Sequence, residues 1–598
     1  MERRGRSHVV EVAFTVGIAV VLLVTFAPST AAASVAVHAA HLTRPGNVAR
    51  TDAVRSPGAG PVVPQPPGAT VVVPIYNAYV SHNTTSTVVN NSVQFPVGLF
   101  SRITVTYFDT FISNVFDTSF IVEVNGTQIL AGNTLELENT SVTENVTDYY
   151  AILQGNTSVL VSCPQFNPGY ASYLSVWFTF YPGAEPSHPS QVLPAFSTTN
   201  FPTPKNAFPV NVPIPFNVSR FANVTFPENV SAAYINFYAQ QNGNDEFWYT
   251  LQPAFREFRI FLNDTLIATV EPYPNIQTGG GDLFLWQPIL AIGAELYPPH
   301  VISLTPYLSL LHGRQSVQIQ VINDENLWVR VALNFMLTTG AGPISASPPS
   351  SSFTFHDQYA QSPATNVTTE SIPLNATYLN DSEATTEVLT SRGSFQNATL
   401  NISSSYQRTV DFAASSTIFD PSFDLSISTP FGPALYYHQV FLMDENIRST
   451  QVTYYRDLAT GAEWTVFQNV SSFYLVVGVD TFAVYLTVPL VQIGFSVIQL
   501  RTTTSTFAEV VAGSPSATQR ATNTTSKVVV GFGVFLGTLN SHNVITSLLY
   551  NQAITAKIVQ STATVNGVTT TFYLKEEAVN NSLVNRNGVL VLYEVLST

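Results

Sequence analysis

At 598 residues the chain is too long for one hydrophobic core, and two to four domains are expected. Only 10% of its residues are Asp, Glu, Lys or Arg while 45% are hydrophobic, with 40 Phe and 26 Tyr, so there is material for large cores. A net charge of −15, with no basic stripe beyond the first few residues, excludes nucleic acid as a partner, because phosphate binding needs clustered Lys and Arg. So few bases also spare the chain self-repulsion in acid, which suits an acidic medium.

In chain order, basic MERRGRSH is followed by the apolar VVEVAFTVGIAVVLLVTFA and the small residues STAAAS. Residues 1–33 read as an export signal cleaved after Ala33, or as an uncleaved N-terminal anchor that would tether the protein to a membrane. Either reading places the protein outside the cell, secreted or at the cell surface. Asn-x-Ser/Thr sites at Asn125, Asn145, Asn223, Asn263, Asn401 and Asn523 fit that compartment. Cys163 is the only cysteine, so no internal disulfide can form and packing alone must hold the domains; this points to a prokaryotic source.

Residues 34–70 are a Pro/Ala-rich linker. Alternating SRITVTYFDT and FIVEVNGTQIL, with VNGT as a turn, open a first β-sandwich over 71–185. A Pro-rich linker follows at 186–216, a second β-sandwich at 217–338, a further linker at 339–352 and a β-rich domain at 353–598. The apolar run FYLVVGVDTFAVYLTVPLVQIGFSVIQL reads as buried strands, since it carries Asp480 and many β-branched residues. The fold class is all-β.

The two sandwich segments look duplicated. Phe116-Asp117, a hairpin at Asn125-Gly126-Thr127 and VTDYYAILQG ending at Gly155 recur as Asp245-Glu246-Phe247, Asn263-Asp264-Thr265 and LTPYLSLLHG ending at Gly313.

Chemistry concentrates in NGNDEFWY, where Asp245 and Glu246 stand against Phe247, Trp248 and Tyr249. Trp and Tyr rings cover the flat C–H faces of sugars, and carboxylates bind hydroxyls or act as acid and base. With QTGGGDLFLWQPI, which carries Trp286, the motif could form a carbohydrate-reading surface. The same residues also fit sandwich-core Trp and acids at a strand end. GGGD opens no helix, HExxH and GxSxG are missing, and the scattered His residues support no metal site.

AAYINFYAQQNGNDEFWY, followed by TGGGDLFLWQPILAIGAELYPPHVISLTPYLSLLHG, resembles the core of the peptide-N-glycosidase A family. The resemblance runs over about residues 75 to 340 and is faint beyond. Gln287 stands where the family commonly has Arg, and the cysteines of plant members are missing, as in a distant prokaryotic relative. The resemblance implies two adjoining jelly-roll-like sandwiches followed by the β-rich C-terminal domain, with the site in the cleft between the two. It implies hydrolysis of the amide joining an asparagine side chain to the first N-acetylglucosamine of an N-glycan, in N-glycopeptides or N-glycoproteins, without metal or cofactor. On that basis Asp245 and Glu246 are the first acid–base candidates, Asp117 the second and Glu136 the third. Trp248, Tyr249, Trp286 and Asn244 would bind the sugar. A non-catalytic glycan-binding or surface protein on the same scaffold is the alternative.

Overall fold

The computed structural model describes residues 68–592, apart from 69, 82–86, 114–118, 135–138, 164–170, 197–217, 241–253, 273–295, 323–329, 341–342, 364–377, 420–425, 430–431, 486–489, 512–516, 540–544, 556–557, 566–567, 577–578 and 587–588. It is built almost wholly from antiparallel strands.

Eight strands form the first sandwich: β1 (Val71–Ser81), β2 (Thr87–Phe95), β3 (Phe100–Ser113), β4 (Ser119–Val124), β5 (Thr127–Asn133), β6 (Thr140–Asn145), β7 (Gly155–Cys163) and β8 (Ala171–Pro182). Their order is β1-β8-β3-β6 in one sheet and β2-β7-β4-β5 in the other. Alternate residues such as Val159, Val161, Leu174, Val176, Phe178 and Phe180 point between the sheets and make one core.

The second sandwich uses β9 (Gln191–Phe196), β10 (Val218–Phe226), β11 (Val230–Gln240), β12 (Glu257–Leu262), β13 (Thr265–Val270), β14 (His300–Ser303), β15 (Gly313–Ile322) and β16 (Arg330–Thr339). Its sheets run β14-β11-β16-β9 and β10-β15-β12-β13, the first order repeated strand for strand. The expected duplication is therefore present in the topology. It extends to detail. The hairpin pairs β4/β5 and β12/β13 both shift register just before the turn, at Val122/Glu123 and Ile260/Phe261. A 3-10 helix precedes β7 (Thr147–Ile152) and another precedes β15 (Thr305–Leu310). Each helix is followed by a glycine at positive φ, Gly155 at 70° and Gly313 at 60°. One expected correspondence changes: Phe116-Asp117 stands directly before β4, whereas Asp245-Glu246-Phe247 stands well ahead of β12. The two share only the connection in which they lie, β3 to β4 and β11 to β12.

The Pro-rich stretch expected as a linker at 186–216 contains β9, which pairs with β16 and so belongs to the second sandwich. The expected linker at 339–352 is mostly strand: β17 (Pro343–Pro363) pairs along its length with β18 (Tyr378–Asn397). These strands begin a 13-stranded sheet that continues through β19 (Leu400–Phe419), β20 (Ser426–Thr429), β21 (Gly432–Asp457), β22 (Glu463–Tyr485), β23 (Leu490–Val511) and β24 (Ala517–Leu539). It ends with β25 (Ile545–Thr555), β26 (Ile558–Val565), β27 (Val568–Glu576), β28 (Val579–Arg586) and β29 (Val589–Leu592). Phe395 of β18 and Ile402 of β19 are buried in the core of the second sandwich, so sheet and sandwich share one interior. Gly393 lies directly on the carbonyl of Pro306, where any Cβ would collide with backbone.

Among the described residues no helix is long and apolar enough to cross a membrane. The apolar N-terminal run, with the signal or tether expected of it, lies outside them, as does the linker at 34–70 but for its last residues.

Candidate functional site

Asp117, Glu136, Asn244, Asp245, Glu246, Trp248, Tyr249 and Trp286 all lie outside the described residues. The strand ends that flank them are described, and these meet. Ser119 opens β4 just after Asp117, Asn133 closes β5 just before Glu136, and Gln240 closes β11 just before NGNDEFWY. Leu296 follows the segment that holds Trp286. Phe120 and Gly132 are cross-strand partners. The Gln240 side-chain amide spans both, donating Nε2–H to the Phe120 carbonyl at 3.2 Å and to the Gly132 carbonyl at 3.3 Å. Leu296 bridges to Gly132, and the Tyr297 N–H donates to the Ala131 carbonyl at 3.0 Å. Four separate connections thus start or finish around Gly132, at the junction of the two sandwiches.

The junction exists because β11 and β16 are buried on both faces. Ile235, Phe237, Leu333 and Phe335 fill their own core. The alternate residues Asn236, Tyr238, Gln240 and Asn334 meet the first sandwich. Asn334 Nδ2–H donates to the Gln128 carbonyl at 2.8 Å and the Tyr238 hydroxyl to the Ile129 carbonyl at 3.0 Å. The Tyr149 hydroxyl donates to the Tyr238 oxygen at 3.1 Å and accepts from Asn236 Nδ2–H at 3.0 Å. Burial drives both tyrosine pKa values upward, so these hydroxyls keep their protons and work as fixed donors. At the Gly132 end, both polar atoms of Asn133 and Oε1 of Gln240 are buried with no hydrogen-bond partner among the described residues. Buried amides are normally satisfied, so this end carries polar capacity the scaffold itself does not use. Sequence reading missed Gln240 and Asn133; the one signal for Gln240 was its place immediately ahead of QNGNDEFWY.

A second buried polar group joins β12 and β13 to the long sheet. Carboxylate oxygens of Glu257, Glu271 and Glu387 lie within 4.8 Å of one another and are the described residues best placed to hold a metal ion. Arg408 stands among them. Its Nη1 donates to Thr269 Oγ1 at 2.7 Å, Glu387 Oε1 at 3.0 Å and Glu271 Oε1 at 3.1 Å, and its Nη2 pairs with Glu271 Oε2. Burial first, then the hydrogen bond to Glu257 and its charge, push the Glu387 carboxyl up to about 10. Arg259 Nε pairs with Glu257 in turn, so two guanidinium groups face these carboxylates and the group is an ion network between layers.

The sequence model of the family described as peptide N-acetyl-β-D-glucosaminyl asparaginase amidase A matches residues 71–329. The peptide-N4-(N-acetyl-β-glucosaminyl)asparagine amidase A of Prunus dulcis is 27% identical over 271 residues, covering 39% of this chain and 47% of that protein. This chain therefore spans about half the length of that relative. Among solved structures, PNGase F, a glycosylasparaginase from Flavobacterium meningosepticum, aligns at 15% identity and a TM-score of 0.34, over 46% of this chain and 96% of its own. PNGF-II aligns at 12% identity and a TM-score of 0.35, over 45% of this chain and 66% of its own. Over residues 71–329 the chain is a distant relative of the peptide N-acetyl-β-D-glucosaminyl asparaginase amidase A family.

Proposed function

We propose that this protein is an exported glycoamidase. It hydrolyses the amide between an asparagine side chain and the first N-acetylglucosamine of an N-glycan, leaving aspartate in the peptide and releasing a glycosylamine. The observation that carries the reading is NGNDEFWY, set inside the family match and leaving β11 at Gln240, where the connections bearing Asp117, Glu136 and Trp286 also begin or end. The repeated strand orders support reading each sandwich as a jelly roll.

The reaction needs a carboxylate to activate water at the amide carbonyl, a donor for the developing oxyanion, and a proton for the departing nitrogen. Asp245 and Glu246 take the acid–base roles, with Asp117 and then Glu136 as partners. Trp248, Trp286 and Tyr249 cover sugar faces, and Asn244 binds their hydroxyls.

Mass spectrometry of a short N-glycopeptide incubated with the protein from acidic to neutral pH tests this. Release of the intact glycan with Asn converted to Asp, lost in Asp245→Asn or Glu246→Gln, is the expected result. Conversion that survives both substitutions moves the acid–base site toward Asp117. Retention of the glycopeptide without conversion overturns the reading in favour of a binding protein.

A further inference from the structure

The family match ends at residue 329, and the long sheet lies wholly beyond it. Yet this sheet grips the chain where it returns from NGNDEFWY. Glu383 of β18 is 3% exposed, and its Oε2 accepts the N–H of Ala254 at 2.5 Å and the N–H of Phe255 at 3.0 Å. Both residues are fully buried and stand just ahead of β12. A buried N–H needs an acceptor, and here a carboxylate from another sheet supplies one for two successive residues. Two donors on one oxygen fix both the place and the direction of the backbone.

Surrounding contacts hold the same point. The Phe255 ring meets Phe412 of β19 edge-on, centroids 5.3 Å apart, and lies 6.0 Å from Phe355 of β17. The Arg259 guanidinium of β12 sits 4.2 Å from the Phe355 ring centroid and 4.8 Å from that of Phe353. Glu383 Oε1 has no hydrogen-bond partner among the described residues, so Oε2 alone makes the bond to the chain.

We propose that Glu383 is a positioning residue for the glycoamidase site: by holding the N–H groups of Ala254 and Phe255 it fixes the exit of the Asp245-Glu246 segment. The long sheet is then part of the catalytic unit. This inference rests on the function proposed above. Glu383 acts through the backbone and touches no reacting atom. Glutamine offers the same acceptor at the same reach, leucine offers similar volume with no acceptor, and aspartate is one methylene short.

The test compares the full chain with Glu383→Gln, Glu383→Leu and Glu383→Asp, measuring kcat and KM on an N-glycopeptide and hydrogen exchange at Ala254 and Phe255. Displacement of about 1 Å at a catalytic group costs on the order of 100-fold, so Glu383→Leu is expected to lose about that much kcat with KM little changed. Glu383→Gln is expected to stay within about threefold of the parent chain. Full kcat in Glu383→Leu, or equal losses in the Leu and Gln variants, overturns the proposal. Should Glu383→Leu fail to fold, Glu383→Asp decides: lowered kcat supports the proposal and unchanged kcat overturns it. A parent chain that releases no glycan removes the functional reading itself. Exchange then judges the grip alone, and equal rates at both amides in the parent chain and in the Asp variant overturn it.

Discussion

Asn125 and Asn263 occupy one position in two copies of a unit. Both hold φ at 51°, and each donates its backbone N–H to a serine carbonyl on the neighbouring strand, Ser158 at 2.8 Å and Ser316 at 2.7 Å. The side chains differ: Asn263 Oδ1 also accepts the Ser316 N–H at 3.0 Å. Positive φ costs a residue with a Cβ about 1–2 kcal/mol, a cost that asparagine lessens. Asn125→Ala is expected to lower stability by about 1 kcal/mol and Asn125→Gly to leave it nearly unchanged. Asn263→Ala is expected to cost more than Asn125→Ala, because a hydrogen bond is lost with it. Urea denaturation of the three variants checks the order.

Stability should fall as pH rises through the weakly acidic range. Burial, then the charge of Asp357, raise the Glu383 carboxyl from 4.5 to about 7, against the lowering effect of the Phe255 and Ala254 N–H groups and Arg256. A folded-state pKa above the unfolded one means that the native state binds the extra proton, so stabilisation is full below about 4.5 and lost by about 7. The shift corresponds to about 3 kcal/mol. Glu445 is raised to about 7 in the same way, chiefly by burial, and adds to the slope. Urea midpoints between pH 4.5 and 8 should decline in the parent chain and decline less in Glu383→Gln, whose amide does not titrate. Equal slopes would contradict the assignment.

Removing Arg408 leaves Glu271 buried without its ion partner. Arg408→Met is expected to cost about 3–5 kcal/mol, and adding Glu271→Met should recover a large part of it. Chemical denaturation of the single and double variants measures both values.

Gly393 of the long sheet lies against the Pro306 carbonyl of the second sandwich. Gly393→Ala drives a methyl group into the Pro306 carbonyl, so the strand must lift. A loss of about 1–3 kcal/mol is expected. Thermal melts of the full chain would show it, and an unchanged melting temperature would mean that β18 yields freely there.

The duplicated unit was legible in sequence because its marks are local. A two-residue turn with Asn first, and a short helix closed by glycine, need only neighbouring residues to form. β17 was hidden because Ser and Pro dominate it. It becomes a strand by pairing with β18, and its register shifts between Ser347 and Ser350, across Pro348 and Pro349. An outer strand tolerates such prolines, since one of its sides needs no N–H. Asn236, Gln240, Glu383 and Glu387 sit in alternating segments that read as solvent-facing. They point inward because a second layer covers what would have been the outer face, and no local pattern carries that information. Asp245 and Glu246 stood out only through the company of aromatic residues.

The layers follow one rule. The β5 face of the first sandwich, with its 3-10 helix, is covered by β11 and β16 of the second. The β13 face of the second, with its own 3-10 helix, is covered by β17, β18 and β19. Each unit is roofed by the next, and the long sheet roofs the last. At the other end, Tyr79 and Tyr173 face each other across β1 and β8 and stay 58% and 40% exposed, with nothing laid over them among the described residues. Among the described residues the layers therefore run in one direction, from the open β1/β8 face to the long sheet. A unit inserted after Thr339 would have to prise the long sheet off the second sandwich.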